Sequence, residues 1–222
     1  VARVVLKLGG RGAEQAASQA RALRAEGHDV VVVHGAGPQI TAEMERIGIA
    51  PSFVGGRRVT TPEVLEVVRA SLLAVNEAVC AAIGPDAIGL AGDAIGLPAE
   101  QVPALGLVGD PVPSAPAAVL DALALGRIPV VAPLAAGPLN VNADEAAAAL
   151  AVGLGAEWIR FVSDVPGVLV DDQVVPEIGV ELAGRMLADG SFQGGIVPKL
   201  EAALRAVSGG VHASIGMTEV TA

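Results

Sequence analysis

Short continuous apolar runs alternate with longer stretches of helical character along almost the whole chain. Residues 4–8 form an apolar run that stops at Gly9-Gly10. Residues 14–26 read as a helix closed by Gly27. Residues 29–34 hold four consecutive valines, the pattern of a strand buried on both faces. That run leads into Gly35-Ala36-Gly37-Pro38, where Pro38 suits the first turn of a helix reaching about Ile47. Residues 51–61 predict a hairpin turning at Gly55-Gly56. Thr61-Pro62-Glu63 combines an N-cap, a proline and a first-turn acid, and predicts a long helix to about Ile83.

The second half repeats the alternation. Short strands at 87–90 and 106–108 flank a Gly/Pro-rich loop. Ser114 is expected to cap a helix to Leu125 that Gly126 stops, and 128–132 reads as another buried strand. Asn142-Ala143-Asp144-Glu145 opens an alanine-rich helix ending near Gly155. A strand at 158–163 follows, then 168–170 pairs with 174–175 around Asp171-Asp172. Helices are predicted over 180–189 and from Gly194-Gly195 through Val207, with last strands at 212–215 and 219–221.

Strands that alternate with helices of ten or more residues imply a mainly parallel sheet covered on both faces. The predicted fold is therefore α/β, a three-layer αβα sandwich, with no internal repeat. At 222 residues it reads as a single domain over 1–222, with approximate lobes 1–110 and 111–222 meeting in the Gly/Pro-rich stretch 96–116.

Composition narrows the function classes. Apolar residues make up 52% and charged residues 17%, enough for a sizeable core. The net charge of −10 disfavours polyanion binding, and aromatics at 2% leave no base-stacking surface, so no nucleic-acid role is expected. Cys80 is the only cysteine, which excludes an intrachain disulfide. Three scattered histidines make no zinc site, and no metal-ligating residues are assigned. The longest uncharged stretch, 128–143, contains Pro129, Pro133 and Pro138 and does not read as a membrane span; the start does not read as a signal peptide. A cytoplasmic location is expected.

One detail changes the picture. Of 14 basic residues, the only lysines are Lys7 and Lys199. Taken singly, Lys7 is equally a snorkelling strand residue and Lys199 a solvated helix residue. Their scarcity points instead to a use for two compact ammonium groups. In open α/β sheets ligands sit at the C-terminal ends of the strands. The first two strands end in Gly9-Gly10 and Gly35-Ala36-Gly37, loops that allow close backbone approach and present N–H groups at a helix start, the makings of a phosphate cradle. Ordinary tight turns would look the same. Position 40 is Ile, so Gly35-x-Gly37 does not continue as a dinucleotide fingerprint, and there is no P-loop, G-x-S-x-G elbow or protein-kinase signature.

Six blocks then fall in a recognisable order. They are Lys7-Leu-Gly-Gly10, His34-Gly-Ala-Gly-Pro-Gln-Ile40, Gly56-Arg-Arg-Val-Thr60, Asn140-Val-Asn-Ala-Asp144, Ser163-Asp-Val-Pro-Gly-Val-Leu169 and Gly194-Gly-Ile-Val-Pro-Lys199. From residue 4 to about 212 the chain resembles the amino acid kinase family, in particular those members that phosphorylate acetylglutamate. The resemblance implies ATP-dependent phosphorylation of the side-chain carboxylate of N-acetyl-L-glutamate to an acyl phosphate, a step of arginine biosynthesis. ATP and Mg²⁺, held mainly through the nucleotide, are the implied cofactors. The alternatives are kinases of acetylaminoadipate or of a carrier-linked amino acid in lysine biosynthesis, or a non-catalytic sensor on the same fold.

The resemblance also assigns roles. Lys7 and Lys199 match the lysines that neutralise charge on the transferring phosphoryl group, and Asp144 the carboxylate that orients them. Ala36 and Gly37 would present N–H groups to substrate and γ-phosphate, and Gly9, Gly10 and Gly35 would cradle phosphates. Arg58 matches the arginine gripping a substrate carboxylate, and Asn140 a substrate-binding asparagine. Asp164, Val165, Pro166, Gly167, Val168 and Leu169, with Ser191, Phe192 and Gln193, match nucleotide-side loops. From the residues alone, Arg58 also fits a surface charge, Asp144 a helix-dipole partner and Asp164 a turn former.

The chemistry agrees from below. A carboxylate with a pKa near ~4.3 is already ionised at neutral pH and needs no general base. It needs positioning and positive charge around a loose transition state. Ala36 stands where the family pattern has glycine, and its methyl requires a negative φ. Against the family pattern, the usual last helix and the N-terminal helix are expected to be missing. By analogy this suggests a homodimer through the helix 61–83, without arginine feedback.

Overall fold

The computed structural model describes residues 1–9, 13–162 and 166–222, with the backbone alone for 13, 15 and 16. In chain order, β1 (Arg3–Leu8), α1 (Ala13–Ala25) and β2 (Asp29–His34) form the first crossover, followed by α2 (Gly37–Arg46). The hairpin of β3 (Phe53–Val54) and β4 (Arg57–Arg58) turns through Gly55 and Gly56, both at positive φ (55° and 75°) as a two-residue primed turn requires. The long helix α3 (Pro62–Ile83) starts where predicted, with the Thr61 side chain accepting from the Val64 N–H at 3.2 Å. Then come β5 (Ala87–Ala91), β6 (Ala99–Gln101), β7 (Val108–Pro111), α4 (Ala117–Ala124), β8 (Ile128–Ala132), β9 (Leu134–Ala135) and β10 (Leu139–Val141). The chain closes with α5 (Ala143–Gly153), β11 (Trp158–Val162), the short pair β12 (Leu169–Val170) and β13 (Gln173–Val174), β14 (Glu177–Gly179), α6 (Val180–Ala188), α7 (Ile196–Ser208), β15 (His212–Ile215) and β16 (Thr218–Thr221).

Eight strands form the main sheet in the order β14-β16-β15-β11-β1-β2-β8-β5. All neighbours run parallel except β15 and β16. Side-chain alternation along β1 sorts the two faces. Val4, Leu6 and Leu8 pack with Ala17, Ala20 and Leu23 of α1 and Val79 and Ile83 of α3. Val5 faces the opposite cluster, with Ala147 and Leu150 of α5 and Leu200 and Ala203 of α7. Helices thus cover both faces, as the αβα expectation requires.

One expectation needs correction. The helix expected to start at Ser114 starts at Ala117, with Pro116 at its N-cap position and no side-chain cap bond. Pro116 disfavours helical backbone at the residue before it. The Ser114 hydroxyl is buried without a partner, and its backbone presses on Gly153, where a Cβ would lie 2.1 Å from the Ser114 nitrogen. The stretch 96–116 builds half of a second sheet, β6-β7-β10-β9. Strand β8 follows residue 110 in the chain yet lies between β2 and β5. No helix among the described residues is long and apolar enough to cross a membrane.

Candidate functional site

Lys7 shares the alternation that points Val5 at α5, so its side chain enters the layer between β1 and that helix. Asn142 fixes the other wall. Its Oδ1 accepts from the N–H groups of Asp144 (2.8 Å) and Glu145 (3.3 Å), capping α5 and setting both acids in the first turn. Asp144 then lies between the two lysines: Oδ1 is 2.8 Å from Lys7 Nζ and Oδ2 is 3.6 Å from Lys199 Nζ. Lys199 also donates to the Gly195 carbonyl at 3.3 Å. Lys7 and Asp144 are only 4% and 5% exposed. Burial pushes the Lys7 ammonium below its ordinary pKa; Asp144 opposes that shift and the nearby Lys199 adds to it. The two scarce ammonium groups therefore converge on one carboxylate from ends of the chain 192 positions apart.

They open onto a cleft of about 260 Å³ lined also by Gly9, Gly35, Ala36, Gly37, Arg58, Asn140 and Phe53. Ala36 has φ −139°, so its methyl is accommodated without strain, and it is buried against α2 and α3. Gly37 begins α2, where orphan N–H groups and the helix dipole favour an anion. A Cβ built on Gly37 would meet nothing within 4 Å. The glycine there leaves open room that the protein itself does not fill. Arg58 is 7% exposed, and burial lowers its pKa. Its Nη2 donates to Thr41 Oγ1 (2.9 Å) and the Gly37 carbonyl (3.3 Å), and its carbon lies 4.6 Å over the Phe53 ring. Among the described residues no carboxylate pairs with it, so a buried cation faces the cleft without a counterion. Asn140 donates to Thr60 Oγ1 at 3.0 Å and keeps its position at the cleft wall.

The remaining expected residues differ from expectation in their contacts or in their place. The N–H groups of Gly9 and Gly35, expected to face phosphates, donate to the Val162 and Leu8 carbonyls at 3.1 Å each, because the strand ladders continue one residue past the strands. Gly10, Asp164 and Val165 lie outside the described residues. A second cleft of about 620 Å³ runs along β11 and β15 and includes Pro166. Val168 is buried, its N–H donating to Thr218 Oγ1 at 2.8 Å, and a Cβ at Gly167 would lie 2.6 Å from that oxygen. Leu169 is 48% exposed in β12. Phe192 packs in the core, the Ser191 N–H donates to Asp189 Oδ1 at 2.9 Å, and Gln193 is exposed; none of these three lines either cleft. His34, at the end of β2, is buried, and desolvation lowers its pKa to about 4. Its Nε2 lies 3.0 Å from Asn76 Nδ2, which also donates to the Val130 carbonyl, so the histidine is an internal acceptor. Among the described residues no group of three or more His, Cys, Asp or Glu is placed to hold a metal ion.

Comparison with known proteins decides the family. The model described as "Amino acid kinase family" matches residues 2–216. The chain belongs to the amino acid kinase family. As such a member it is 44% identical to an acetylglutamate kinase of Frankia casuarinae over 95% of this chain and 65% of that one. It is 42% identical to the Frankia alni enzyme (95% and 68%) and 40% identical to that of Roseiflexus sp. (95% and 87%). The chain thus spans about two thirds of the length of the first two of these relatives. Among solved structures, smu.665 from Streptococcus mutans superposes with a TM-score of 0.89 at 28% identity, over 99% of this chain and 98% of that one. A carbamate kinase from Giardia lamblia (TM-score 0.72, 17% identity, 99% and 98% covered) shares the fold.

Proposed function

We propose that the chain is an ATP-dependent kinase that phosphorylates the side-chain carboxylate of N-acetyl-L-glutamate to an acyl phosphate, the reaction of its similar relatives in arginine biosynthesis. The observation that carries this reading is the convergence of Lys7 and Lys199 on Asp144 beside a buried Arg58 that has no carboxylate partner among the described residues. Arg58 would take a carboxylate of the acceptor through its planar fork, and Asn140 would hold the acceptor's polar groups. The start of α2 and the two lysines would surround the phosphoryl group as it passes between oxygens. Ammonium groups suit this because their charge is compact and follows a moving partner, whereas a guanidinium imposes a fixed geometry. Asp144 would keep Lys7 and Lys199 at the right separation, because two neighbouring cations repel without it. Mg²⁺ would arrive with the nucleotide phosphates and offset their charge.

The approximate division of labour is an acceptor lobe over 1–110 and a nucleotide lobe over 111–222, with β8 returning to the acceptor side. The nucleotide loops would be those around 164–169 and 191–193. A cytoplasmic homodimer joined through α3 completes the reading, and light scattering tests it.

The test of function is an ADP-release assay across N-acetylglutamate, N-acetylaminoadipate, glutamate, aspartate and carbamate. Turnover with N-acetylglutamate above the others is expected. Turnover only with another acid overturns the acceptor and keeps the reaction; ADP release with none overturns both.

A further inference from the structure

Arg57 precedes Arg58 in β4, and its contacts run into the body of the protein. Its Nε and Nη2 donate to Glu145 Oε1 at 3.0 and 2.8 Å. The same Nη2 lies 3.1 Å from Asp110 Oδ1, to which Arg205 donates at 2.7 Å. Glu145, Arg57, Asp110 and Arg205 therefore form an alternating chain of charge that joins α5, β4, β7 and α7. Glu145 is 6% exposed, its Oε2 is buried with no hydrogen-bond partner, and burial raises its pKa. A carboxylate held this way depends on Arg57 for most of its compensation.

The hairpin needs such a tether. Each of its strands has two residues, and Phe53 and Val54 are 53% and 57% exposed, so apolar burial does little to hold it down. Its tip approaches α7 at Gly56, where a Cβ would lie 3.6 Å from Pro198. Yet this hairpin supplies Arg58, and both ends of the tether adjoin the site: Arg57 beside Arg58, and Glu145 beside Asp144.

We propose that the Arg57–Glu145 ion pair, extended through Asp110 to Arg205, latches the β3–β4 hairpin over the acceptor cleft and makes Arg57 and Glu145 positioning residues for Arg58. This rests on the acceptor reading above. The latch acts on acceptor binding, because it holds the side chain that meets the acceptor and touches neither lysine.

Glu145→Gln removes the charge and keeps the shape. Hydrogen exchange of residues 53–58 in this variant is expected to quicken about tenfold, as a local opening freed of its tether should. The KM for N-acetylglutamate should rise about tenfold with the KM for ATP unchanged, the split that separates positioning from general damage. Arg57→Lys, which keeps a cation opposite Glu145, should show both effects only in part. Arg205→Ala, at the half-exposed end of the chain, leaves the buried pair in place and should show the same pattern at about twofold to threefold. Unchanged exchange at 53–58, or equal rises in both KM values, overturns the latch. Faster exchange in a protein that phosphorylates none of the acids tested would overturn the acceptor reading and leave the latch standing as a hairpin tether.

Discussion

The cleft at the end of β1 is walled by buried charge, whereas the charged residues of the larger cleft along β11, Arg160 and Glu219, are exposed. In the first, Lys7, Arg58 and Asp144 are each 7% exposed or less, and each is held by a capped helix or a strand ladder. In the second, Arg160 and Met217 stand in solvent, Met217 at 69% exposure. A cation fixed in a low-dielectric setting acts strongly on a ligand and needs no reorganisation, whereas an exposed one is screened. The contrast teaches that the chain's electrostatic power sits at the end of β1. Substitutions there should be severe and those along β11 mild.

The sharpest attempt to break that contrast is Lys7→Ala. Loss of a preorganised cation at the transferring group should lower kcat/KM about 1,000-fold in the ADP-release assay, and Lys7→Arg should not restore it. Next is the buried histidine behind the cleft. His34 titrates at about 4 in the folded chain and near 6.5 when unfolded. The unfolded chain therefore binds more protons between those values. Stability is full above pH 6.5, falls as pH drops, and has lost up to about 3 kcal/mol by pH 4. Urea titrations of His34→Gln should lack that part of the slope; an identical slope would show that the histidine is not held neutral. Arg58→Ala should raise the KM for N-acetylglutamate about 100-fold while leaving that for ATP within a factor of about two, the cost of a charge-assisted pair. Gly37→Ala fills open space without backbone strain, so its melting temperature should stay within about 1 °C while the KM values rise about tenfold. The smallest effect is expected across the molecule. Arg160→Ala should change the ATP KM by no more than about threefold, and a larger change would erase the distinction between the two clefts.

Much of the framework is legible in the sequence because its signals are local. Thr61-Pro62-Glu63 places the start of α3, Gly55-Gly56 places the hairpin turn, and the valine run places β2, since each acts through its own neighbours. The second sheet is illegible for the opposite reason. Strands β6, β9 and β10 have two or three residues each and exist only through pairing with one another and with β7. Ser114 misled because a cap signal cannot register that Pro116 follows and Gly153 crowds its backbone. Within the candidate site, the scarcity of lysine singles out Lys7 and Lys199. Glu145 escapes notice as one more first-turn acid, since its meaning comes from Arg57, 88 positions away. Gly9 and Gly35 suggest spare N–H groups, but ladder continuation is a property of paired strands that one strand does not reveal.

Strand β1 is stitched on both flanks, five residues in register with β11 and six with β2. The two halves of the molecule consequently share a spine instead of a hinge. Lys7 rides on that spine, paired to Phe161 on one flank and to Val33 on the other, so its position is tied to both halves at once.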